Sequence, residues 1–345
     1  SNQCASNSIV WLSLALERAL RVAEPAKELL RAKSPDVVLV TPAVEFGSDQ
    51  VEWIKAARKL RIPSGVCVAS WDNLTSKGLL HANPDRVFVW NEAQRREAAE
   101  LHGIVRSSVV ATGAPRFDEW FERRATRRPE ELRGQVGLDP GRPHVVYVCS
   151  SAFIAGDEIP FVERWLTSLR SSREPDLRDV GVIVRPHPQN PAHWAGLDLD
   201  KFGNTTIWPQ RGAFPADEAS RADFFDSMAH AVAVVGLNTS AQIEAAIVGK
   251  TVMTVREPGN ASMTLHYRYL QRPYGGFVHE AVGLTDHREQ LAAVMRGVVD
   301  DRERLARFVG SFVRPQGIDQ PATPILVDGI EGLTVNRSRT MLSLR

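Results

Sequence analysis

The chain is short of cysteine, of net charge and of long apolar runs, and each shortage removes a class of protein. Cys4, Cys67 and Cys149 are the only three cysteines in 345 residues. They are widely spaced, which excludes a disulfide framework or a zinc pattern and fits reduced, buried thiols in a cytoplasmic protein. The formal net charge is +1, so nothing general favours nucleic acid or an anionic membrane. The run Ile9 to Leu16 is broken by Ser13 and is far below the ~20 residues that span a bilayer. No charged n-region or cleavage site marks a signal peptide. P-loop, G-x-G-x-x-G, G-x-S-x-G and H-E-x-x-H motifs are all missing. The one D-x-D, Asp198-Leu-Asp200, lies in a short polar connection, so no metal-holding carboxylate cluster is expected.

What is present is alternation. With 43% hydrophobic and 24% charged residues, the composition is that of a globular chain of roughly two domains. Strand-like runs at 36–40, 65–69, 86–90 and 108–112 alternate with helical patterns at 50–60, 91–102 and 116–127. A second series has strands at 144–149, 180–184, 205–208, 231–237 and 251–255, and helices at 159–169, 217–230, 241–248, 287–299 and 301–313. This is the pattern of parallel sheets covered by helices, two Rossmann-like, doubly wound α/β domains. Residues 1–127 form the N-terminal domain, 128–143 an Arg-, Glu-, Gly- and Pro-rich linker, and 144–313 the C-terminal domain. Residues 314–345, with Pro315, Pro321 and Pro324, form a tail expected to run back over the first domain. The chain opens without Met and passes straight into a helical pattern from Ile9 to Leu30. An α/β domain usually opens on a buried strand, so a first strand and its loop are expected to be missing from the N-terminal domain.

Doubly wound domains bind ligands at the carboxyl ends of their strands. In the second domain the apolar run ending at Gly236 is followed by Asn238, Thr239 and Ser240, which open a helix closing at Gly249. Thr239 with Gln242 reads as a capping box, and the amides inside such a terminus suit an anion. Glu244, one turn on, is within reach of ribose hydroxyls beyond a diphosphate. Ser150 and Ser151, with Gly156 and Glu158 beyond, follow the first strand of this domain; Arg185, Pro186, His187, Pro188 and Gln189 follow the second. A positive Arg185 and a His187 imidazolium beside a helix terminus would neutralise a diphosphate without a metal. Trp208 and Pro209 follow the third strand, where Trp208 either covers a nucleobase or belongs to the core. In the first domain two adjacent loops hold Glu45, Ser48, Asp49, Asp72, Asn73 and Lys77. A carboxylate among them is the candidate general base, and Lys77 the candidate partner of a leaving phosphate. Asp72 with Asn73 is equally ordinary turn chemistry. Arg123, Arg124, Arg127 and Arg128 form a local basic cluster, read as a solvated helix or as a contact for an acidic lipid surface.

The motifs ATGAPRFD (Ala111 to Asp118), RPHP (Arg185 to Pro188) and VVGLNTSAQIEAAIVGK (Val234 to Lys250), in that order, resemble the GT-B glycosyltransferase superfamily. The branch is the one shared by surface-polysaccharide and Kdo transferases, CDP-glycerol glycerophosphotransferases and the UDP-GlcNAc 2-epimerase fold. The resemblance covers about residues 35 to 325. It implies two Rossmann-like domains facing across a cleft, with a nucleotide-activated donor on the C-terminal one and an acceptor on the N-terminal one. Carried over by position, Asn238, Thr239 and Ser240 bind the donor phosphate, Glu244 the ribose, and Arg185 with His187 the phosphate or sugar. Kdo transferases place an acidic catalytic residue after the first strand. This chain reads TPAVEFGSDQ there, which leaves the base among Glu45, Asp49 and Asp72, and the epimerase-type histidine-acid pattern is also lacking. The implied function is a metal-independent, inverting glycosyltransferase or polyol-phosphate transferase without a cofactor. It would use a nucleotide-sugar donor and a glycan or lipid-linked acceptor, in the cytoplasm at the inner face of the membrane. A nucleotide-sugar epimerase of the same fold and a non-catalytic glycan-assembly protein are the alternatives.

Overall fold

The computed structural model describes residues 12, 15–17, 20–45, 47–152, 154–155, 157–194, 196–210, 215–256 and 276–342. Gly156 and the start of the expected opening helix lie outside them. The chain divides into two compact units, Ser1–Asp118 with Gly310–Arg345, and Glu119–Val309.

The first unit is built on a parallel sheet of β1 (Val38–Val40), β2 (Ser64–Cys67), β3 (Arg86–Val89) and β4 (Val109–Ala111), paired in chain order. Because successive strand residues face opposite ways, Val38, Val40, Val66, Val87, Val89 and Val109 share one face. They pack on Ile54, Ala56 and Ala57 of helix Gln50–Lys59 and on Ala98 of helix Glu92–His102. The alanines let those helices lie close. The C-terminal helix Ala322–Leu342 meets the other face, where a Cβ on Gly329 would lie 2.7 Å from the Phe88 ring and one on Gly65 would lie 3.4 Å from Leu333. Asp118 anchors that helix by accepting from the amides of Ala322 (2.9 Å) and Thr323 (2.7 Å) and from Arg314 (2.9 Å). The sequence pattern leaves this helix as an irregular tail because Pro321 and Pro324 read as breakers. They sit just before and within its first turn, where the missing N–H is no loss.

The second unit holds a six-stranded parallel sheet, β5 (His144–Val148), β6 (Gly181–Arg185), β7 (Thr205–Ile207), β8 (Ala233–Val235), β9 (Thr251–Arg256) and β10 (Val278–Val282). Their order is β10-β9-β8-β5-β6-β7, the doubly wound arrangement in which the chain proceeds outward in both directions from the β5–β8 pair. Val145, Tyr147, Val182, Val184, Ala233, Val235, Met253 and Val255 pack on Phe161, Trp165, Leu166 and Leu169 of helix Ile159–Arg170 and on Leu291 of helix Gly283–Met295. Helix Ala241–Ile247 packs on β8 and β9 together with Arg302–Phe308. Three features depart from the sequence pattern. The stretch read as a linker, 128–143, contains helix Pro129–Gln135, whose Leu132 is buried along with Val136 and Leu138; three apolar residues are too few to show a period. The expected helix 116–127 shrinks to Asp118–Glu122, beyond which Arg124 Nη1 donates to the carbonyls of Phe121, Glu122 and Arg123. Strand β10 escapes notice because His279 and Glu280 interrupt its apolar run.

Candidate functional site

A doubly wound sheet opens a crevice where neighbouring strands send their connections to opposite faces. In the second unit that place lies beyond Val148 of β5 and Val235 of β8. Gly236 makes the close approach: a Cβ there would lie 2.8 Å from both Cγ2 and the carbonyl oxygen of Val148, so any side chain would push the two strand ends apart. Just past it the Asn238 amide donates to Ser150 Oγ over a long 3.4 Å, which links the two loops.

The Ser150 loop is held from below. Its amide donates to Glu158 Oε2 (2.8 Å), its hydroxyl reaches Oε1 (3.4 Å), and the Tyr147 hydroxyl donates to Oε1 (2.7 Å). Glu158 is 2% exposed. Burial pushes its carboxyl up to about 7, against the Tyr147 and Ser150 hydrogen bonds, which favour the charged form. In the sequence Glu158 is a lone Glu ahead of a helix, which carries no signal of burial.

The helix terminus is organised by Gln242. Its Oε1 accepts from the Thr239 amide (3.2 Å), its Nε2 donates to the Gly236 carbonyl (3.0 Å), and Thr239 Oγ1 accepts from the Ala241 amide (3.4 Å). One half of the expected capping box is present, Gln242 accepting from the Thr239 amide; Thr239 Oγ1 takes the Ala241 amide in place of that of Gln242, and the helix starts one residue later with Ser240 in the N-cap place. Thr239, Ser240 and Glu244 are half-buried, as is Ser151 across the crevice.

The residues at the ends of β6 and β7 serve the fold more than the sequence suggests: Arg185, expected just past the strand, is the last residue of β6. Arg185 is buried, and its Nη1 donates to Asp223 Oδ2 (3.1 Å) and Ser227 Oγ (2.7 Å), with the guanidinium 4.9 Å from the Phe224 ring centre. Its charge is compensated in place. Asp223 also accepts from Trp208 Nε1 (2.8 Å) and from Arg127 (3.2 Å), and Arg127 in turn pairs with buried Asp226 (2.8 Å). Trp208, Pro209, Arg127, Gln135, Arg185 and Asp223 line a cavity of about 520 Å³. Burial lowers the His187 pKa, and its Nδ1 accepts from the Gln189 amide (3.2 Å). The ring is therefore neutral with its proton on Nε2, not the imidazolium that the sequence suggests. Three arginines of the basic cluster, Arg123, Arg127 and Arg128, are in ion pairs. Arg123 pairs with Glu218 and Glu119, and Arg128 with Glu130 and Glu131.

In the first unit the loops after β1 and β2 touch, since a Cβ on Gly78 would lie 2.5 Å from the Val44 carbonyl oxygen. Asp72 accepts from Ser70 Oγ (2.7 Å) and Ser76 Oγ (3.1 Å), with Lys77 Nζ at 3.7 Å. Buried Asn73 accepts the amides of Ala69 (2.9 Å) and Ser70 (2.8 Å). Helix Glu92–His102 braces this loop. His102 Nδ1 accepts from the Leu80 amide (3.0 Å) while Nε2 donates to the Leu74 carbonyl (2.8 Å), and Gln94 Nε2 donates to Ser70 and Trp71. Asp72 and Asn73 thus carry out the turn chemistry that was the simpler reading. Glu45 and Asp49 are exposed.

Among the described residues no group of three or more His, Cys, Asp or Glu is placed to hold a metal ion, and no helix is long and apolar enough to cross a membrane. No protein-family model matches the chain, and no curated protein is similar to it in sequence. Solved structures are similar in fold. A putative UDP-N-acetylglucosamine 2-epimerase from Listeria monocytogenes aligns at 15% identity and a TM-score of 0.56 over 89% of this chain and 77% of its own. The UDP-N-acetylglucosamine 2-epimerase from Rickettsia bellii gives 15% identity and 0.53 over 94% and 79%. The UDP-GlcNAc 2-epimerase from Neisseria meningitidis bound to UDP-GlcNAc gives 13% and 0.53 over 93% and 80%. At such identities the likeness speaks for the fold alone. With its two helix-flanked parallel sheets in one chain, this protein has a GT-B-like fold of the kind seen in those epimerase structures.

Proposed function

We propose that this chain is an enzyme acting on a nucleotide-activated sugar, and that its reaction is epimerisation of that sugar. The observation carrying the proposal is the β5–β8 switch point, where Gly236 brings Asn238, Thr239 and Ser240 beside Ser150 in a doubly wound unit. Three structures similar over 89% or more of this chain are described as epimerases or a putative epimerase, and one of them holds UDP-GlcNAc; this supports epimerisation over transfer. The diphosphate is assigned to Thr239 and Ser240, the ribose to Glu244, and the nucleobase to the Trp208 cavity. His187, neutral with a proton on Nε2, supplies a hydrogen bond rather than a charge.

Glycosyl or polyol-phosphate transfer is the second reading. It is favoured by the residues after β1, which lack the epimerase-type histidine-acid pattern, and it would use Asp72, Glu45 or Asp49 as base toward a glycan or lipid-linked acceptor at the inner face of the membrane. Product analysis with UDP-GlcNAc and no acceptor separates the two. A new epimer supports the first reading; unchanged sugar nucleotide that releases UDP only when a glycan acceptor is added supports the second. Nucleotide affinity is the common test. Wild type should bind UDP more tightly than Ser240→Ala and His187→Ala, and absence of any UDP affinity in wild type ends both readings.

A further inference from the structure

The fold leaves Asn238 with no use for its side chain. It is 2% exposed, and among the described residues neither Oδ1 nor Nδ2 has a hydrogen-bond partner. Other buried amides in this chain are engaged: Gln242 holds Thr239 and Gly236, and Asn73 holds Ala69 and Ser70. A buried carboxamide with both ends unpaired is a standing cost, and an apolar residue of similar size would avoid it. The cost is located at the switch point, one residue before Thr239, with the Asn238 amide tied to Ser150.

Resting on the nucleotide-sugar reading above, we propose that Asn238 is a specificity-determining residue that recognises the sugar of the donor rather than its diphosphate. A carboxamide offers one donor group and one acceptor side by side. Phosphate oxygens only accept, so a diphosphate would leave Oδ1 as it is. A sugar hydroxyl or an acetamido group both donates and accepts, and satisfies both ends. The order along the chain agrees. Glu244 lies on the helix side of Thr239 and Ser240, and Asn238 on the strand side, against the Ser150 loop. A ligand with its ribose at Glu244 and its diphosphate over Thr239 and Ser240 extends its sugar toward Asn238. Because the side chain is covered here, the loops around it part as the sugar enters.

The test is titration calorimetry of the full chain with UDP and with UDP-GlcNAc, beside thermal unfolding, for wild type, Asn238→Leu and Asn238→Ala. Both variants should weaken UDP-GlcNAc binding about tenfold or more while UDP changes less than about twofold, as expected for loss of a paired hydrogen bond. Asn238→Leu, which removes the unpaired amide at nearly constant volume, should melt no lower than wild type. Equal weakening for both ligands, or an unchanged ratio with a lowered melting temperature, overturns the proposal, because the carboxamide then serves the phosphate or the fold. A wild type that binds neither ligand overturns the nucleotide-sugar reading and this inference together; binding of both with an unchanged ratio in the variants overturns this inference alone.

Discussion

Replacing Glu158 by glutamine should make the protein less stable in acid and more stable in alkali. Burial raises the Glu158 pKa from an ordinary 4.5 to about 7, and each pKa unit is worth about 1.4 kcal/mol. The charged form is therefore about 3 kcal/mol less favourable in the folded protein than in the unfolded chain. The folded protein binds this proton more tightly, so the stability tied to it is complete below pH 4.5 and is lost as pH rises through about 7. A carboxamide in the same place would carry no such dependence. It can accept from the Ser150 amide and donate to the Tyr147 hydroxyl, as the neutral carboxyl does, but it brings a second N–H into a buried place, at a cost of about 1 kcal/mol. The variant should thus be about 1 kcal/mol less stable at pH ~3.5, nearly equal to wild type at pH ~5, and about 2 kcal/mol more stable at pH ~9. Urea denaturation of both proteins across that range gives the difference directly, and the other titrating groups, common to both, cancel from it. A wild type minus variant difference that stays flat with pH would show that Glu158 is already charged in the fold, and that the Ser150 loop rests on a carboxylate.

Three further outcomes follow from the same packing. Gly236→Ala forces a methyl within 2.8 Å of Val148; it should cost about 1–3 kcal/mol in denaturation midpoints and weaken UDP binding by separating the two loops. Asp223→Asn removes the charge shared by Arg127, Arg185 and the Trp208 indole, and should cost about 3 kcal/mol in urea unfolding; a loss below about 1 kcal/mol would show the two arginines paired elsewhere. His287 is fully buried against Trp165 with neither ring nitrogen paired among the described residues, and burial lowers its pKa to about 4. Its stability contribution is present above 6.5 and is lost as pH falls through about 4. His287→Leu should therefore shift acid unfolding, followed by circular dichroism, to lower pH; an unmoved midpoint leaves the acid sensitivity to His144, which is also lowered to about 4 by burial.

The alternation of apolar runs with amphipathic segments was enough to read both parallel sheets apart from β10, because period and length are local properties of the chain. The Thr239–Gln242 cap was legible for the same reason, its partners being three residues apart. Arg185 and His187 were legible as residues at a strand's carboxyl end but not in their state. Asp223, which compensates Arg185, is 38 residues away, and the burial that makes His187 neutral is created by packing. Glu158 shows the limit well. Nothing local distinguishes it from an exposed glutamate, and only the closing of Tyr147 and Ser150 over it makes it a group poised near neutrality.

Local chemistry was sufficient to dictate that Gly236 ends a strand, that Asn238 to Ser240 open a helix, and that no motif for a metal or a P-loop phosphate site is present. The pairing of that strand with β5, which sets the helix terminus at a switch point and brings Gly236 against Val148, came only with folding. So did the sealing in of Asn238 with an unanswered amide while its neighbours are satisfied. Strand order and burial are relations between segments 80 or more residues apart, and side-chain chemistry at either segment alone does not encode them.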